Sequence, residues 1–351
     1  MAGSDDFLFY CLQYLDDPLE DAGYADAFLA LKPRLDAVRQ FVAEHEARLS
    51  GARIYWRAED LSLTRGYGYS HGQQLSSGAY MLSKFGIPYT TRADGGGPVL
   101  LLGEVAETMT DDEIRALLSG GILMDAPAAV LLSKRGFGDF LGVDVAPVNG
   151  RPRITDERIR SESGCKRRGR QMNAFYVFPA GSEGTAGRFV MLKPHEGTEV
   201  WSDFYGPDGS FVMPSVVFSR NRLGGRVGIV AMSLIGNRSS GLYNLRKQEL
   251  LRRLLDRLSP GTIPVSAVDV PGIWLMASVS SDGKEMLLMV NNLSGDDREG
   301  VRLSFADLWK GAEIMRIGKT GSAFPCGRTD AVWTMPFALG QMKPEFLILK
   351  R

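Results

Sequence analysis

The sequence contains few of the residues that cross-link a chain or bind metal ions. Histidine occurs three times in 351 residues, and the histidines lie far apart, with no Cys-x-x-Cys or His-x-x-x-His pair. The sequence therefore predicts no structural metal site. Cysteine also occurs three times, at Cys11, Cys165 and Cys326. An odd number of widely separated cysteines does not make a disulfide framework, so we expect a reducing compartment.

The chain also lacks net charge and long apolar runs. It has 41 basic and 41 acidic residues, a balance that argues against a general affinity for nucleic acid or acidic membranes. The sequence opens with no charged-then-apolar leader and holds no apolar run of membrane-spanning length. We therefore expect a cytoplasmic protein with no membrane or nucleic-acid partner. The basic segment CKRRGR, Cys165–Arg170, is interpreted as a solvated loop rather than a polyanion site, because no aromatic residue is interleaved with it.

Phosphate-binding loops are missing as well. The glycine run Gly95–Gly97 precedes a strand pattern rather than a helix, which is the wrong context for such a loop. The segment RGYGYSHG, residues 65–72, lacks the second-glycine spacing of a dinucleotide fingerprint. We therefore predict no cofactor.

The strongest pattern in the chain lies between Gly97 and Val145. Val99–Leu102 and Ile122–Met124 are short continuous apolar runs, typical of strands that are buried on both faces of a parallel sheet. Between them, Thr110 and Glu113 have the spacing of a capping box at the start of a helix. A helical connection makes the two strands parallel neighbours, so the pattern predicts a doubly wound α/β sheet.

The residues of this stretch also carry a resemblance to a known family. The run LLLGEVAETMTDDEIRALLSGGILMD, followed by RGFGDFLGV, resembles the glutamine-amidotransferase-like domain behind the catalytic barrel of family 42-type β-galactosidases and related glycoside hydrolases. The resemblance implies a flavodoxin-like, class I glutamine-amidotransferase-like domain followed by a small β-sandwich. It also implies a role in carbohydrate metabolism, a glycosidase barrel upstream of this chain, and a homo-oligomer, since the corresponding domain is often called the trimerisation domain.

The turn after the second strand departs from the amidotransferase pattern. Amidotransferases place a nucleophilic cysteine after the strand that corresponds to Ile122–Met124. This chain has Asp125, Ala126 and Pro127 there, with no thiol or hydroxyl that a base could activate. The resemblance therefore implies a retained fold without amidotransferase chemistry.

Carboxylates near the strand ends raise the possibility of glycosidase chemistry, which needs two facing carboxyl groups. Glu104, Asp125 and Asp139 are candidates by location, but none stands in a sequence context that marks it. The eightfold alternation of strands and helices that forms a catalytic barrel is missing. We interpret Asp125 as a helix cap or rim residue rather than a catalytic group.

A second candidate site is the loop after the first strand of the predicted sheet. Arg65, Tyr67, Tyr69 and His71 offer a guanidinium, two aromatic rings with hydroxyls and an imidazole, which suit a sugar or carboxylate ligand. With Asp125 they complete the set of candidate ligand-binding residues. The alternative is that the tyrosines pack at an interface and His71 begins a helix, because polar groups mark a site only where they line a pocket.

The pattern divides the chain into a helical linker (1–50), an α/β domain (51–262) and a β-sandwich (263–351). In the linker, Pro33 is predicted to begin the second of two helices. The helix Leu245–Leu258 is predicted to close the α/β domain, and short alternating strands with tight turns follow it. Further strands of the α/β domain are predicted at Arg53–Trp56, Ile87–Thr91, Ala174–Phe178, Arg188–Leu192, Glu199–Phe204, Val212–Ser219 and Arg226–Met232.

The leading hypothesis is a non-catalytic module that acts in assembly and in shaping the substrate rim of a glycoside-hydrolase-type protein. One alternative is a stand-alone sugar-binding protein that uses the loop from Arg65 to His71. Another is a hydrolase that uses carboxylates near Asp125.

Overall fold

The structure is a computed structural model that describes residues 22–56, 69–148, 154–167, 169–171, 189–235 and 244–351. Its α-helices are Ala22–Glu44 (α1), Tyr69–Phe85 (α2), Asp111–Leu118 (α3), Ala126–Leu132 (α4) and Leu245–Leu258 (α5). The strands up to the last of these helices are Arg48–Ser50 (β1), Ala52–Ile54 (β2), Tyr89–Thr90 (β3), Val99–Leu101 (β4), Gly121–Met124 (β5), Val143–Pro147 (β6), Asp156–Ile159 (β7), Gly169–Gln171 (β8), Val190–Pro194 (β9), Glu199–Tyr205 (β10), Phe211–Arg220 (β11) and Arg226–Val230 (β12). The later strands are Val265–Val268 (β13), Ile273–Val279 (β14), Glu285–Asn292 (β15), Arg302–Phe305 (β16), Glu313–Ile317 (β17), Ala323–Arg328 (β18), Val332–Thr334 (β19) and Glu345–Lys350 (β20).

A mixed nine-stranded sheet forms the larger part of the molecule. Its strand order is β3-β2-β4-β5-β12-β11-β10-β7-β8. The strands from β3 to β12 pair in parallel, whereas β11, β10, β7 and β8 add antiparallel ladders. The predicted parallel pairing of the two apolar runs is confirmed, since Val99 lies opposite Ile122.

Short sequence patterns explain where the elements at the centre of this sheet begin and which residues they bury. Every residue of β4 is buried, as expected of a strand that is covered on both faces. The predicted capping box is confirmed, because the amide of Glu113 donates to Thr110 Oγ1 and the Glu113 carboxylate accepts from the Thr110 amide at 2.7 Å. The helix α5 also has its predicted bounds and begins at Asn244, whose Oδ1 accepts the amides of Arg246 and Lys247.

A buried ion pair ties α5 to the antiparallel half of the sheet. The Lys247 ammonium donates to both carboxylate oxygens of Glu157, at 2.7 and 2.9 Å, and each side chain is 1% exposed. The hydroxyls of Ser202 and Ser215 donate to the same carboxylate. Burial alone raises the pKa of Glu157, but the charge and hydrogen bonds of Lys247 and the serine hydroxyls lower it overall. The buried carboxylate is therefore both paired with a charge and hydrogen-bonded to hydroxyls, the condition under which a buried charge is tolerated.

Beside the nine-stranded sheet, β6 and β9 form a two-stranded antiparallel sheet. Two further sheets form the second part of the molecule. The first has six strands in the order β1-β14-β15-β20-β17-β18, and the second has three in the order β13-β16-β19. Apolar side chains of both sheets enclose one core that includes Leu275, Leu288, Leu303 and Leu347. The short strand β1 precedes the nine-stranded sheet in the sequence. In the fold it pairs with β14, at the edge of the six-stranded sheet.

The helix α1 packs on the outer face of the six-stranded sheet. Val38 and Phe41 are buried there against Leu287 and Phe346. The prediction that Pro33 begins a second helix is wrong, because one helix runs through it from Ala22 to Glu44. An interior proline removes one backbone hydrogen bond and crowds the preceding turn, and the burial of the apolar face on the sheet offsets that cost.

Membrane-spanning helices are not found in the part of the chain that the structure describes. None of the helices there is both long and apolar enough to cross a bilayer.

The two parts of the molecule meet through backbone contacts at the end of α2. The Gly86 carbonyl accepts the Ala267 amide at 2.8 Å, and the Lys84 carbonyl accepts the Gly272 amide at 2.7 Å. Gly86 has φ +65°, and a Cβ at this position would lie 2.3 Å from the Ala267 Cβ. The side-chain amide of Gln248, on α5, donates to the carbonyl of Val270, which lies between β13 and β14. The joint is therefore close, and it leaves no space for a side chain at Gly86.

Gly86→Ala is expected to destabilise the protein more than Gly261→Ala. Both glycines have a positive φ, which costs an L-residue about 1–2 kcal/mol, but a Cβ at Gly261 meets nothing within 4 Å. The clash with Ala267 adds about 1–3 kcal/mol for Gly86→Ala. Urea unfolding of both variants measures the difference, and equal losses of stability would contradict the close contact at the joint.

Candidate functional site

The carboxyl ends of the parallel strands are the first place to look for a ligand or catalytic group, because open α/β sheets bind ligands at this edge. The segments that leave β4, β5 and β12 lie side by side there, since these strands are neighbours in the sheet. They contribute Gly103, Asp125 and Leu234, respectively.

Asp125 lies at the centre of this edge and is fully buried. Its Oδ1 accepts the amides of Gly103, at 2.8 Å, and of Ala128, at 3.3 Å. Its Oδ2 accepts the Leu234 amide at 3.1 Å. The residue is therefore the N-cap of α4, and it also links the segments that follow three neighbouring strands. The interpretation of Asp125 as a helix cap is confirmed.

Burial controls the protonation of this carboxyl group. It raises the pKa of Asp125 to about 6, against the opposing effect of the amides that donate to it. A carboxylate that is enclosed by the protein cannot reach a substrate, and both of its oxygens already accept hydrogen bonds. Asp125 is therefore built as a structural group rather than as a nucleophile or a general base.

The thiols of the described residues are not activated as nucleophiles. Cys165 is buried and Cys326 is partly buried, and both are free. Burial raises the pKa of each thiol, which lowers the fraction of reactive thiolate at neutral pH. Cys11 lies outside the described residues.

The three candidate carboxylates do not all lie at one place in the fold. Glu104 is exposed at the carboxyl edge of the sheet, one residue after Gly103. Asp139 is exposed and pairs with Arg222 at 3.8 Å. Arg222 lies in the turn before β12, at the amino end of the parallel strands. Asp125 and Asp139 therefore lie at opposite ends of the parallel strands.

The loop residues predicted to bind a ligand fall largely outside the described part of the chain. Arg65 and Tyr67 lie in the undescribed stretch 57–68, and Tyr69 and His71 lie in the first turn of α2. The ligand-binding role of this loop therefore stays a prediction.

Gln74, which the sequence analysis did not single out, lies beside Asp125's partner Gly103. The side chain is 1% exposed, and neither its Nε2 nor its Oε1 has a hydrogen-bond partner in the described structure. A Cβ at Gly103, which has φ +63°, would lie 2.9 Å from Gln74 Nε2 and 2.3 Å from Ile235 Cδ1. A glutamine at helical spacing is not distinctive in a sequence, so only the fold shows that this amide faces the strand ends.

Metal-binding clusters are not found among the residues that the structure describes. No group of three or more His, Cys, Asp or Glu side chains there could hold a metal ion.

Comparison with known proteins shows a fold shared with part of a glycoside hydrolase. No protein-family model and no curated protein matches the chain. Among solved structures, the chain is similar to α-L-fucosidase isoenzyme 2 from Paenibacillus thiaminolyticus, with a TM-score of 0.54 and 12% sequence identity. The match covers 86% of this chain and 48% of that chain. The chain therefore spans about half the length of the fucosidase, and at this identity the likeness concerns the fold alone.

Two further glycoside-hydrolase structures match smaller parts of the chain. A GH30 endoxylanase from Clostridium papyrosolvens has a TM-score of 0.19 and 9% identity over 31% of each chain. An α-amylase from Anoxybacillus has a TM-score of 0.18 and 14% identity, and covers 34% of this chain and 24% of that chain. Their TM-scores are too low to support an argument about the fold.

Asp125→Asn is expected to change how stability depends on pH. Between the unfolded pKa of 3.8 and the native value of about 6, the native state holds a proton that the unfolded state has released. Asp125 therefore makes the protein more stable as the pH falls from 7 to 4, by on the order of 3 kcal/mol. Asparagine does not titrate, so the variant lacks this gain.

Urea unfolding of both proteins at several pH values between 4 and 7 measures this effect as the difference between their stability curves. The comparison with the variant removes the contributions of other carboxylates, which both proteins share. Parallel curves across this range would contradict a raised pKa at Asp125.

Proposed function

We propose that this chain is a non-catalytic, amidotransferase-like module of a glycoside-hydrolase-type protein. The observation that carries the proposal is the turn after β5, where Asp125 uses both carboxylate oxygens to bind backbone amides. A catalytic scaffold keeps a reactive group exposed at this position, whereas this chain has a buried structural carboxylate there.

The order of the parallel strands supports the amidotransferase-like part of the proposal. Numbered along the chain, the parallel strands of the sheet lie in the order second, first, third, fourth and fifth. This is the order of flavodoxin-like sheets. The antiparallel strands β11, β10, β7 and β8 extend the sheet beyond that core.

The comparison with the fucosidase supports the proposed context. The chain matches about half of a longer glycoside hydrolase, which is the relation expected of an accessory part to a whole enzyme. We therefore propose that the chain acts with a glycosidase barrel, as in the family 42-type β-galactosidases that its sequence resembles, and that it shapes the rim of the substrate site and the oligomer.

Exposed apolar side chains beside α1 support the assembly role. Leu29 on α1 is 61% exposed, and Phe324 on β18 is 45% exposed. The turn before β18 contacts α1, since a Cβ at Gly321 would lie 2.6 Å from the Pro33 carbonyl oxygen. Leu29 and Phe324 therefore flank one contact, and apolar groups exposed together are typical of an interaction surface.

The purified chain is expected to release no product from a panel of aryl glycosides or from glutamine. The physical reason is that Asp125, the carboxylate at the centre of the strand ends, is buried and accepts backbone amides with both oxygens. Release of nitrophenol or ammonia measures turnover. Hydrolysis that is abolished in folded Asp125→Asn would overturn the non-catalytic proposal and favour a hydrolase that uses this carboxylate.

The double variant Leu29→Glu and Phe324→Glu is expected to shift the chain from a defined oligomer to the monomer, because each charge would have to be buried at the interface. Light scattering after size-exclusion chromatography measures the molar mass. Leu223→Glu, at an exposed leucine in the turn before β12, is the control and should leave the oligomer intact. This interface would be contradicted if the wild-type chain were a monomer. It would also be contradicted if Leu223→Glu lowered the molar mass as much as the double variant does.

A further inference from the structure

Two adjoining cavities lie where α5 faces the second part of the chain. One has a volume of about 340 Å³ and the other about 420 Å³, and Arg252 and Ser304 line both. Each is the size of a small-molecule pocket. We refer to the two together as the α5 groove.

The first cavity is strongly cationic, although the whole chain has no net charge. Its described lining includes two carboxylates, Glu249 and Asp269. It also includes five cationic side chains, which are Lys166, Arg167, Arg252, Arg253 and Arg302. The basic segment interpreted from the sequence as a solvated loop thus contributes two of its residues to the wall of a cavity.

Both carboxylates of this cavity are already occupied. Asp269 accepts Arg302 at 2.7 Å through Oδ2 and Arg167 through Oδ1. Glu249 accepts the Lys166 amide at 2.7 Å, the Arg167 amide at 3.1 Å and the Arg253 side chain at 3.4 Å. Each acid is therefore already shared among donors, and the cavity places five cationic side chains against only two carboxylates.

Among the described residues, these contacts leave two cations of the cavity without an ion pair, the exposed ammonium of Lys166 and the partly buried guanidinium of Arg252. The described structure gives Arg252 no hydrogen bond, although Glu249 and Asp256 act on it electrostatically. Burial, followed by the charge of Arg253, lowers the pKa of Arg252, yet a guanidinium stays protonated in proteins. A partly desolvated, charged fork of donors therefore faces the groove, and a carboxylate or phosphate is the group that it binds best.

The second cavity offers the complementary chemistry. Asp256 and Asp307 place carboxylates there, and Ser266 and Ser304 place hydroxyls. The carboxylates can accept hydrogen bonds from the hydroxyls of a sugar, and the serine hydroxyls can both accept and donate them. On the rim, Leu308 is 60% exposed, an apolar surface on which the C–H face of a sugar ring can pack.

We propose that the α5 groove binds an acidic sugar, with the acid group at Arg252 and the hydroxyl-bearing ring in the adjoining cavity. The carbohydrate class rests on the proposed function, whereas the anion site rests on the charges alone. The acid group can be the carboxylate of a sugar acid or the phosphate of a sugar phosphate, because the guanidinium accepts either.

Binding of glucuronate, glucose 6-phosphate, glucose and inorganic phosphate to the full chain tests the proposal by calorimetry. Glucuronate or glucose 6-phosphate is expected to bind at least about tenfold more tightly than glucose, because glucose lacks the charged hydrogen bonds to Arg252. Inorganic phosphate should compete with the tighter of the two ligands. The acid that binds more tightly distinguishes a carboxylate site from a phosphate site.

Arg252→Gln is expected to weaken this binding by about tenfold or more. Arg257→Gln is the matched control, because Arg257 lies on the same helix, pairs with Glu199 at 3.3 Å and lies outside the lining of both cavities. If Arg252→Gln does not fold, Lys166→Gln carries the same test, with a smaller expected loss, since its side chain is exposed.

Three outcomes would overturn the whole proposal, and a fourth would overturn its choice of a sugar as the ligand. The first is that neither acid binds at millimolar concentration, and the second is that glucose binds as tightly as the acids. The third is that Arg252→Gln and Arg257→Gln have equal effects. If inorganic phosphate binds as tightly as both sugar acids, the groove is a plain anion site and the sugar assignment is wrong. None of these results depends on whether the chain hydrolyses glycosides, so the proposed function is tested separately.

Discussion

The carboxylate of Asp125 is the constraint on which the centre of the sheet depends. A buried charge needs hydrogen-bond donors on its oxygens, since an isolated one is strongly disfavoured inside a protein. The donors at Asp125 are amides of Gly103, Ala128 and Leu234, which come from segments that leave three neighbouring strands. The sheet edge therefore cannot open or shift its register without leaving the carboxylate or these amides unpaired. The residue that caps α4 thus also holds three neighbouring segments of the sheet together.

The same rule operates on the antiparallel side of the sheet. Glu157 on β7 is balanced by Lys247 on α5 and by hydroxyls from β10 and β11. One charge pair therefore fixes the helix on the sheet, and removing one partner would leave a buried charge that costs about 3–5 kcal/mol. Because α5 also carries Gln248 and Arg252, its position decides both the joint with the second part of the chain and the shape of the α5 groove.

Features that depend on near neighbours in the sequence could be predicted, and features that depend on distant ones could not. The capping box at Thr110 and the helix Leu245–Leu258 follow from local spacing, and the structure confirms both. The prediction that Pro33 begins a helix was wrong because the helix through Pro33 packs on a sheet whose strands are distant in the sequence. For Asp125 the local part, capping of the next helix, was predictable. Its bond to Leu234 was not, because nothing near residue 234 indicates which carboxylate lies above it in the fold.

The α5 groove is the extreme case of this dependence on distant residues, because Arg167, Asp269 and Arg302 meet only when the two parts of the molecule are joined. Arg167 and Arg302 both donate to Asp269 without a ligand present. These charges are therefore already arranged before a ligand arrives, which lowers the ordering cost of binding. A ligand that contacts both α5 and β16 binds only the joined arrangement. By linkage, such a ligand stabilises the joint to the same extent that the joint favours the ligand.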